Sequence, residues 1–126
     1  MAKILVVDDE ESIRYLLDTV LRRQGHDVLL AAGGQRGIEV FRQEHPDVTI
    51  LDLSMPEMKG LEVLQQIRTI DPRAPVVILT GMGTEADEQQ CRERGVSEFI
   101  QKGFSLHALG EALNRILNQP GHAASA

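Results

Sequence analysis

Five polar side chains stand at or next to the ends of apolar runs in this chain. In chain order these residues are Asp8, Asp9, Asp52, Thr80 and Lys102. Carboxylates are the ligands that hard divalent cations prefer, whereas a hydroxyl and an ammonium bind anionic oxygens. The combination indicates a site that holds a hard cation together with an anionic oxygen ligand.

The runs that lead to these residues predict strands of a parallel sheet. Residues 3–7, 48–51 and 75–79 are almost continuously apolar, which is typical of strands covered on both faces, and residues 98–101 form a further short strand. Because the C-terminal ends of parallel strands share one edge, and ligands of open α/β sheets bind along that edge, we expect the five polar side chains to converge there.

Strands and helices alternate five times along the chain. Apolar spacing and turn residues predict a fifth strand over residues 27–32 and helices over about 10–24, 35–44, 61–70, 84–94 and 106–117, the last capped by Ser105. With right-handed crossovers this order predicts an α/β fold, a three-layer doubly wound parallel sheet with strand order 2-1-3-4-5. The 126 residues fit a single domain, and residues 119–126 are expected to be a disordered tail or the start of a linker.

Two helices carry unusual residues. Gly37 lies inside the second helix, which predicts either a close packing contact at that point or a loose helix, because an interior glycine costs roughly 1 kcal/mol relative to alanine. The helix over residues 84–94 is polar, with Ala86 and Cys91 as nearly its only inward candidates, so we expect weak attachment to the sheet. Gly81 and Gly83 precede it and allow the backbone to change conformation.

Composition excludes several classes of protein. The formal net charge is −6 and the basic residues are scattered, which argues against direct nucleic-acid binding. No apolar stretch approaches the length of a membrane span and the N-terminus lacks a signal-peptide pattern, so we expect a cytoplasmic protein without membrane insertion. The single Cys91 excludes an internal disulfide and a zinc cluster.

The polar residues and their neighbours resemble the receiver domain of two-component response regulators, and the resemblance extends over nearly the whole chain. The residues that carry it are Asp8 and Asp9, Asp52 followed by Met55-Pro56 and Gly60, Thr80, and Phe99 with Lys102. It implies a (βα)5 sheet of the flavodoxin-like type, with the receiver domain over residues 1–118.

The resemblance implies that Asp52 accepts a phosphoryl group from a sensor histidine kinase or a phosphotransfer protein. Mg²⁺, for which Mn²⁺ could substitute, would be held by Asp9, Asp52 and the backbone carbonyl of Ser54, with Asp8 nearby or acting through water. Thr80 and Lys102 would each contact a phosphoryl oxygen. Such a transfer depends mainly on positioning and charge neutralisation, so the chain is expected to assist its own phosphorylation and dephosphorylation without being an enzyme.

The resemblance also implies a switch that controls binding of an effector protein, with a phosphorylation-dependent dimer as a further expectation. Thr80 would move towards the phosphoryl group and Phe99 would follow, reshaping the face made by the fourth helix, the fifth strand and the fifth helix. The alternative for Phe99 is a fixed core aromatic. Ser54 and Met82 occupy positions that influence how fast the acyl phosphate hydrolyses in the family.

One departure from the family pattern concerns the residue after Lys102. Receiver domains usually have proline there, often in a cis peptide bond, whereas this chain has Gly103, so we expect a trans bond or a locally rearranged loop. Three alternatives to the phosphorylation switch remain: a degenerate receiver that acts as an unphosphorylated docking module, a Mg²⁺-dependent phosphohydrolase with an aspartyl nucleophile, and a flavin or nucleotide carrier. The chain lacks the Asp-x-Asp spacing after the first strand that is usual for such a phosphohydrolase. It also lacks the phosphate-binding loop that a flavin or nucleotide carrier needs there.

Overall fold

The computed structural model describes residues 2–81, 83–103 and 106–118 and contains five strands and five helices in that part of the chain. The strands are β1 (Lys3–Val7), β2 (Asp27–Ala31), β3 (Val48–Leu51), β4 (Val76–Thr80) and β5 (Glu98–Gln101). The helices are α1 (Glu11–Arg23), α2 (Gly34–Glu44), α3 (Gly60–Ile70), α4 (Glu85–Glu93) and α5 (Leu106–Leu117). The alternation and the approximate bounds predicted from the sequence are confirmed.

The strands form one parallel sheet in the order β2-β1-β3-β4-β5, as predicted. The register aligns Val7 of β1 with Ala31 of β2 on one side and with Leu51 of β3 on the other. The ends of these strands are therefore level, and Asp8 and Asp52 emerge side by side from the same edge of the sheet.

Helices cover both faces of the sheet because successive side chains of each strand point to opposite sides. One apolar layer joins Leu5 and Leu51 of the sheet to α2, α3 and α4, and the other joins Ile4 and Ile50 to α1 and α5. Strand residues in both layers are almost fully buried. The sheet is consequently a rigid platform on which the site residues are carried.

Close packing explains Gly37 and leaves the second helix tightly attached. A β-carbon at Gly37 would lie 2.8 Å from Cγ2 of Val7, which is closer than side chains pack. The glycine therefore lets α2 approach β1. The expectation of either a close contact or a loose helix is resolved in favour of the contact.

The fourth helix is held by fewer apolar residues than the others. Cys91 is buried, but Ala86 is exposed, so the prediction that Ala86 faces inward is wrong. The reason is the start of the helix: the Thr84 hydroxyl accepts a hydrogen bond from the backbone N–H of Asp87 and the Asp87 carboxylate accepts one from that of Thr84. This capping box fixes the first turn with Ala86 towards solvent.

The C-terminal end of α4 is attached to α3 by Arg68. Its guanidinium donates hydrogen bonds to the backbone carbonyls of Arg94 at 2.5 Å, Ala74 at 2.8 Å and Gly95 at 3.1 Å. A cation at a helix C-terminus also opposes the negative end of the helix dipole.

No helix in the described part of the chain is both long and apolar enough to cross a membrane.

Candidate phosphoacceptor site

Two buried carboxylates form the floor of the site at the C-terminal edge of the sheet. Asp8 is 2% exposed and Asp52 is 1% exposed. Backbone hydrogen bonds continue the sheet one residue beyond the strands, from Asp8 N–H to Ala31 O at 3.1 Å and from Asp52 N–H to Val7 O at 2.9 Å. Both carboxylates are therefore positioned by the sheet and not by a mobile loop.

The ammonium of Lys102 lies between the two carboxylates. Its Nζ atom is 3.3 Å from Asp8 Oδ2 and 3.4 Å from Asp52 Oδ2, and it donates a hydrogen bond to Oε1 of Glu10. The backbone N–H of Lys102 bonds to the carbonyl of Thr80 at 2.7 Å, which extends the pairing of β4 with β5 to the lysine. One cation consequently meets three acidic side chains.

Burial and neighbouring charges shift the pKa values of these groups. The pKa of Asp8 is raised to about 6, mainly by burial and also by the negative charge of Asp52, although a hydrogen bond from the backbone of Glu10 and the charge of Lys102 lower it. For Lys102, burial alone would lower the pKa, but the Glu10 hydrogen bond and the charges of Asp8 and Asp52 raise it overall. Lys102 is therefore charged at any physiological pH.

The loop after β3 orients Asp52 and places a hydroxyl next to it. The backbone N–H of Ser54 donates to Asp52 Oδ1 at 3.1 Å, and the Ser54 and Thr80 hydroxyl oxygens lie 3.5 Å apart. Thr80 itself is fully buried at the end of β4. Ser54 thus contacts both Asp52 and Thr80 at the edge of the site.

Gly60 allows this loop to fold back against the start of α3. Its backbone N–H donates to Leu53 O at 3.0 Å, and a β-carbon at this position would overlap the carbonyl oxygen of Asp52. A side chain would therefore push the loop away from the sheet. The glycine that follows Met55-Pro56 in the sequence is needed for this close approach and not for an unusual backbone angle.

The acidic group that the structure assembles differs in one member from the group expected from the sequence. Carboxylate oxygens of Asp8, Glu10 and Asp52 lie within 4.8 Å of one another. Asp9 is exposed and lines an adjacent surface cavity of about 520 Å³ together with Ser54 and Lys59. The structure therefore brings Asp8 and Asp52 together as predicted but turns the Asp9 side chain towards the neighbouring cavity.

Glu10 was not among the site residues expected from the sequence. The available signal was a third acidic residue directly after Asp8-Asp9, but it also fits the first turn of a helix, where acidic residues favour the dipole. Glu10 occupies the N-cap position of α1 without capping it through its side chain. Its carboxylate reaches Lys102, which is 92 residues away along the chain.

Thr80 and Phe99 lie close to one another around Gly83. A β-carbon at Gly83 would lie 2.7 Å from Cγ2 of Thr80 and 2.8 Å from Cζ of Phe99. Phe99 is half-buried and packs against the edge of the core, which leaves both the switch and the fixed-aromatic interpretations open. Met82 lies outside the described residues, as do Ser105 and residues 119–126, so the expectations for them stay predictions.

The Lys102-Gly103 peptide is trans, because no cis peptide bond is found among the described residues, and Gly103 has a φ of +88°. A trans bond was one of the two outcomes expected from the sequence. The left-handed φ suits glycine and would strain most other residues. Lys102 nevertheless reaches both buried carboxylates, so the missing proline does not displace the lysine from the site.

The chemistry of the acidic group fits a hard divalent cation. Its oxygens are close together, two of its three members are buried, and repulsion from Asp52 adds to the larger effect of burial in raising the pKa of Asp8. A cation with oxygen ligands would relieve that repulsion. Asp8, Glu10 and Asp52 could therefore bind a metal, with Ser54 and Asp9 on the adjacent cavity.

Comparison with known proteins identifies the family. The sequence model of the response regulator receiver domain matches residues 4–114. The chemotaxis protein CheY of Thermotoga maritima is 31% identical over 115 residues, which cover 90% of this chain and 96% of that protein. The crystallised chemotaxis protein CheY4 of Vibrio cholerae superimposes with a TM-score of 0.86 at 31% identity, covering 93% of this chain and 99% of the other.

Longer relatives contain the same domain. The probable transcriptional regulator ycf27 of Guillardia theta is 39% identical over 122 residues, which are 97% of this chain but 48% of that protein. The chain thus spans about half the length of several curated relatives that it matches. Strand order, acidic pocket and sequence agree, and the chain belongs to the response regulator receiver domain family.

Proposed function

We propose that this chain is a Mg²⁺-dependent phosphoacceptor, phosphorylated on Asp52. The observation that carries the proposal is the position of Asp52, a buried carboxylate at the end of the central strand with the Lys102 ammonium 3.4 Å away. Receiver domains interact with histidine kinases and effector domains. A sensor histidine kinase or phosphotransfer protein is therefore the proposed donor.

The proposed reaction is an in-line transfer to a carboxylate oxygen. Asp52 attacks the phosphorus of a phosphohistidine, the P–N bond breaks, the leaving imidazole keeps its electron pair, and an acyl phosphate forms on Asp52. A bound Mg²⁺ would supply neutralisation of the negative charge on the phosphoryl oxygens and the carboxylates. Asp8 and Asp52, with Asp9 and the Ser54 carbonyl at the border of the site, are the proposed metal-binding groups.

The remaining side chains position the phosphoryl group. Lys102 would bind one of its oxygens, because the ammonium already lies between the buried carboxylates. The Thr80 hydroxyl would donate to a second oxygen, and its neighbour Ser54 would influence access of water to the acyl phosphate. These tasks need no further chemistry from the protein, so we propose that the chain is not an enzyme that turns over a substrate.

Output would come through the face formed by α4, β5 and α5. Movement of Thr80 towards the phosphoryl group would vacate space beside Gly83, into which the half-buried Phe99 ring could move. The fourth helix suits such a change because Cys91 is its single buried residue and Arg68 holds only its C-terminal end. A cytoplasmic effector protein or effector domain is the proposed partner of this face.

Intact-protein mass spectrometry tests the proposal. The protein is incubated with acetyl phosphate or phosphoramidate and Mg²⁺, beside a sample in EDTA, the variant Asp52→Asn, and the control Asp71→Asn, which changes an exposed carboxylate at the end of α3. We expect one phosphoryl adduct in the parent and in the control, and none in EDTA or in Asp52→Asn. Absence of the adduct in a parent that still binds Mg²⁺ would contradict the proposal and favour a docking module.

A further inference from the structure

Glu10 is one of the three carboxylates that could bind a metal, and it also contacts the phosphoryl-binding lysine, but the proposed function assigns it no role. Lys102 is only 14% exposed at its side chain, and of its three acidic partners Glu10 is the closest. Asp8 and Asp52 are buried beneath the ammonium, whereas the Glu10 side chain is 51% exposed. Glu10 therefore lies on the solvent side of the ammonium, where an incoming anion would approach.

The backbone of Glu10 is fixed, but its side chain is free to leave. The Glu10 backbone N–H donates to Asp8 Oδ1 at 2.9 Å, which anchors the start of α1 to the floor of the site. In the described part of the chain, the carboxylate itself bonds to Lys102 alone. Release of Lys102 would consequently require a rotation of one exposed side chain and no change in the fold.

We propose that Glu10 is a positioning residue that holds the Lys102 ammonium until a phosphoryl oxygen replaces it. The inference rests on the proposed function, because it assigns a competitor to the same lysine. Glu10 then lowers the affinity of the site for a phosphoryl group, since each anion that binds Lys102 must displace an existing ion pair. It also limits binding of other anions at the unphosphorylated site.

Removal of the Glu10 charge should have opposite effects on the binding of a phosphoryl mimic and on the binding of Mg²⁺. Without Glu10, the positive charge of the Lys102 ammonium is neutralised less, so the ammonium attracts an anion more strongly and repels a nearby cation more strongly. A phosphoryl mimic should therefore bind more tightly and Mg²⁺ alone more weakly. If Glu10 were a metal ligand, its loss would weaken both, because the mimic binds together with the metal.

The test compares Glu10→Gln with Glu11→Gln, which makes the same charge change one residue further along. Glu11 is exposed and makes no ion pair within the described ranges. Binding of beryllium trifluoride, an unreactive phosphoryl mimic, is measured by calorimetry at saturating Mg²⁺ for each variant. We expect Glu10→Gln to bind it about two- to fivefold more tightly than the parent, as for loss of a partly exposed ion pair, and the control to stay within about 1.5-fold.

Separate outcomes overturn the inference and the proposed function. Unchanged or weaker binding of beryllium trifluoride by Glu10→Gln, beside a parent that binds it, would overturn the role of Glu10 alone. A parent that fails to bind it with Mg²⁺, or binds it no better than Asp52→Asn, would overturn the proposed function and this inference with it. Glu10→Ala must reproduce the tighter binding, and thermal unfolding confirms that each variant is folded.

Discussion

Asp8→Asn should stabilise the metal-free protein, because it removes a charge that the fold buries. The pKa of Asp8 is raised from 3.8 to about 6, mainly by burial and also by the charge of Asp52. The folded protein therefore binds this proton more tightly than the unfolded chain does. The free energy of unfolding must fall as pH rises between these two values, and the loss is complete above pH 6.

The magnitude follows from the two pKa values. Their difference of about 2 pH units, at 1.36 kcal/mol for each, amounts to about 3 kcal/mol at neutral pH. Asparagine resembles the protonated carboxyl group and retains an oxygen that can accept the Glu10 N–H, now 2.9 Å from Asp8 Oδ1. The variant should therefore be more stable than the parent by up to about 3 kcal/mol at pH 7.5, and by less than about 1 kcal/mol at pH 4.

Urea unfolding followed by circular dichroism in a chelator, at pH 7.5, 5 and 4, measures this difference. Asp71→Asn is the control, because that carboxylate is exposed and its removal should change the free energy of unfolding by less than about 0.5 kcal/mol. Adding Mg²⁺ at pH 7.5 should stabilise the parent more than Asp8→Asn. A variant that is less stable than the parent at pH 7.5, or a difference that does not change with pH, would refute the reasoning.

Three further substitutions test the packing of the fold, two by urea unfolding and one by hydrogen exchange. Thr49→Val should stabilise the protein by about 1 kcal/mol, because the buried Thr49 hydroxyl has no hydrogen-bond partner among the described residues. The control Thr69→Val, at an exposed position, should not stabilise it, and equal effects of the two substitutions would contradict this reasoning. Gly60→Ala should destabilise the protein by about 2 kcal/mol or more and slow phosphorylation. The control Gly110→Ala, where a β-carbon meets nothing within 4 Å, should stabilise the protein by about 0.5–1 kcal/mol. Unchanged stability of Gly60→Ala would show that the loop yields easily. Arg68→Ala should increase hydrogen exchange at the C-terminal turn of α4, because two hydrogen bonds to the end of that helix are lost. Unchanged exchange would show that Cys91 suffices to hold the helix.

The order of strands and helices was predictable because the environment of each element determines a local pattern of apolar and polar residues. Strands buried on both faces need continuous apolar residues, and helices on the surface need apolar residues at three- and four-residue spacing. Ala86 was misassigned because hydrophobicity alone does not fix which way a polar helix turns. The Thr84 capping box and the burial of Cys91 decide that orientation, and only the folded chain combines the two.

The candidate site was predictable in its buried part and less so at its surface. Asp8, Asp52 and Thr80 follow directly from β1, β3 and β4, so topology alone brings them to one edge. Asp9 and Glu10 lie beyond the last sheet hydrogen bond, where the turn into α1 decides which carboxylate faces Lys102. A difference of one residue reverses the direction of a side chain in such a turn, and sequence spacing does not record it.

The sequence by itself determined the fold class, the family and the place of Asp8, Asp52, Thr80 and Lys102 at the site, because these depend on local patterns and on the order of strands. Only the tertiary structure decided that Lys102 is shared by Asp8, Glu10 and Asp52, and that Gly37 and Gly60 are places of close backbone approach. The physical reason is that contacts between residues distant in the chain depend on distances of a few tenths of an ångström, and packing of the whole molecule sets those distances.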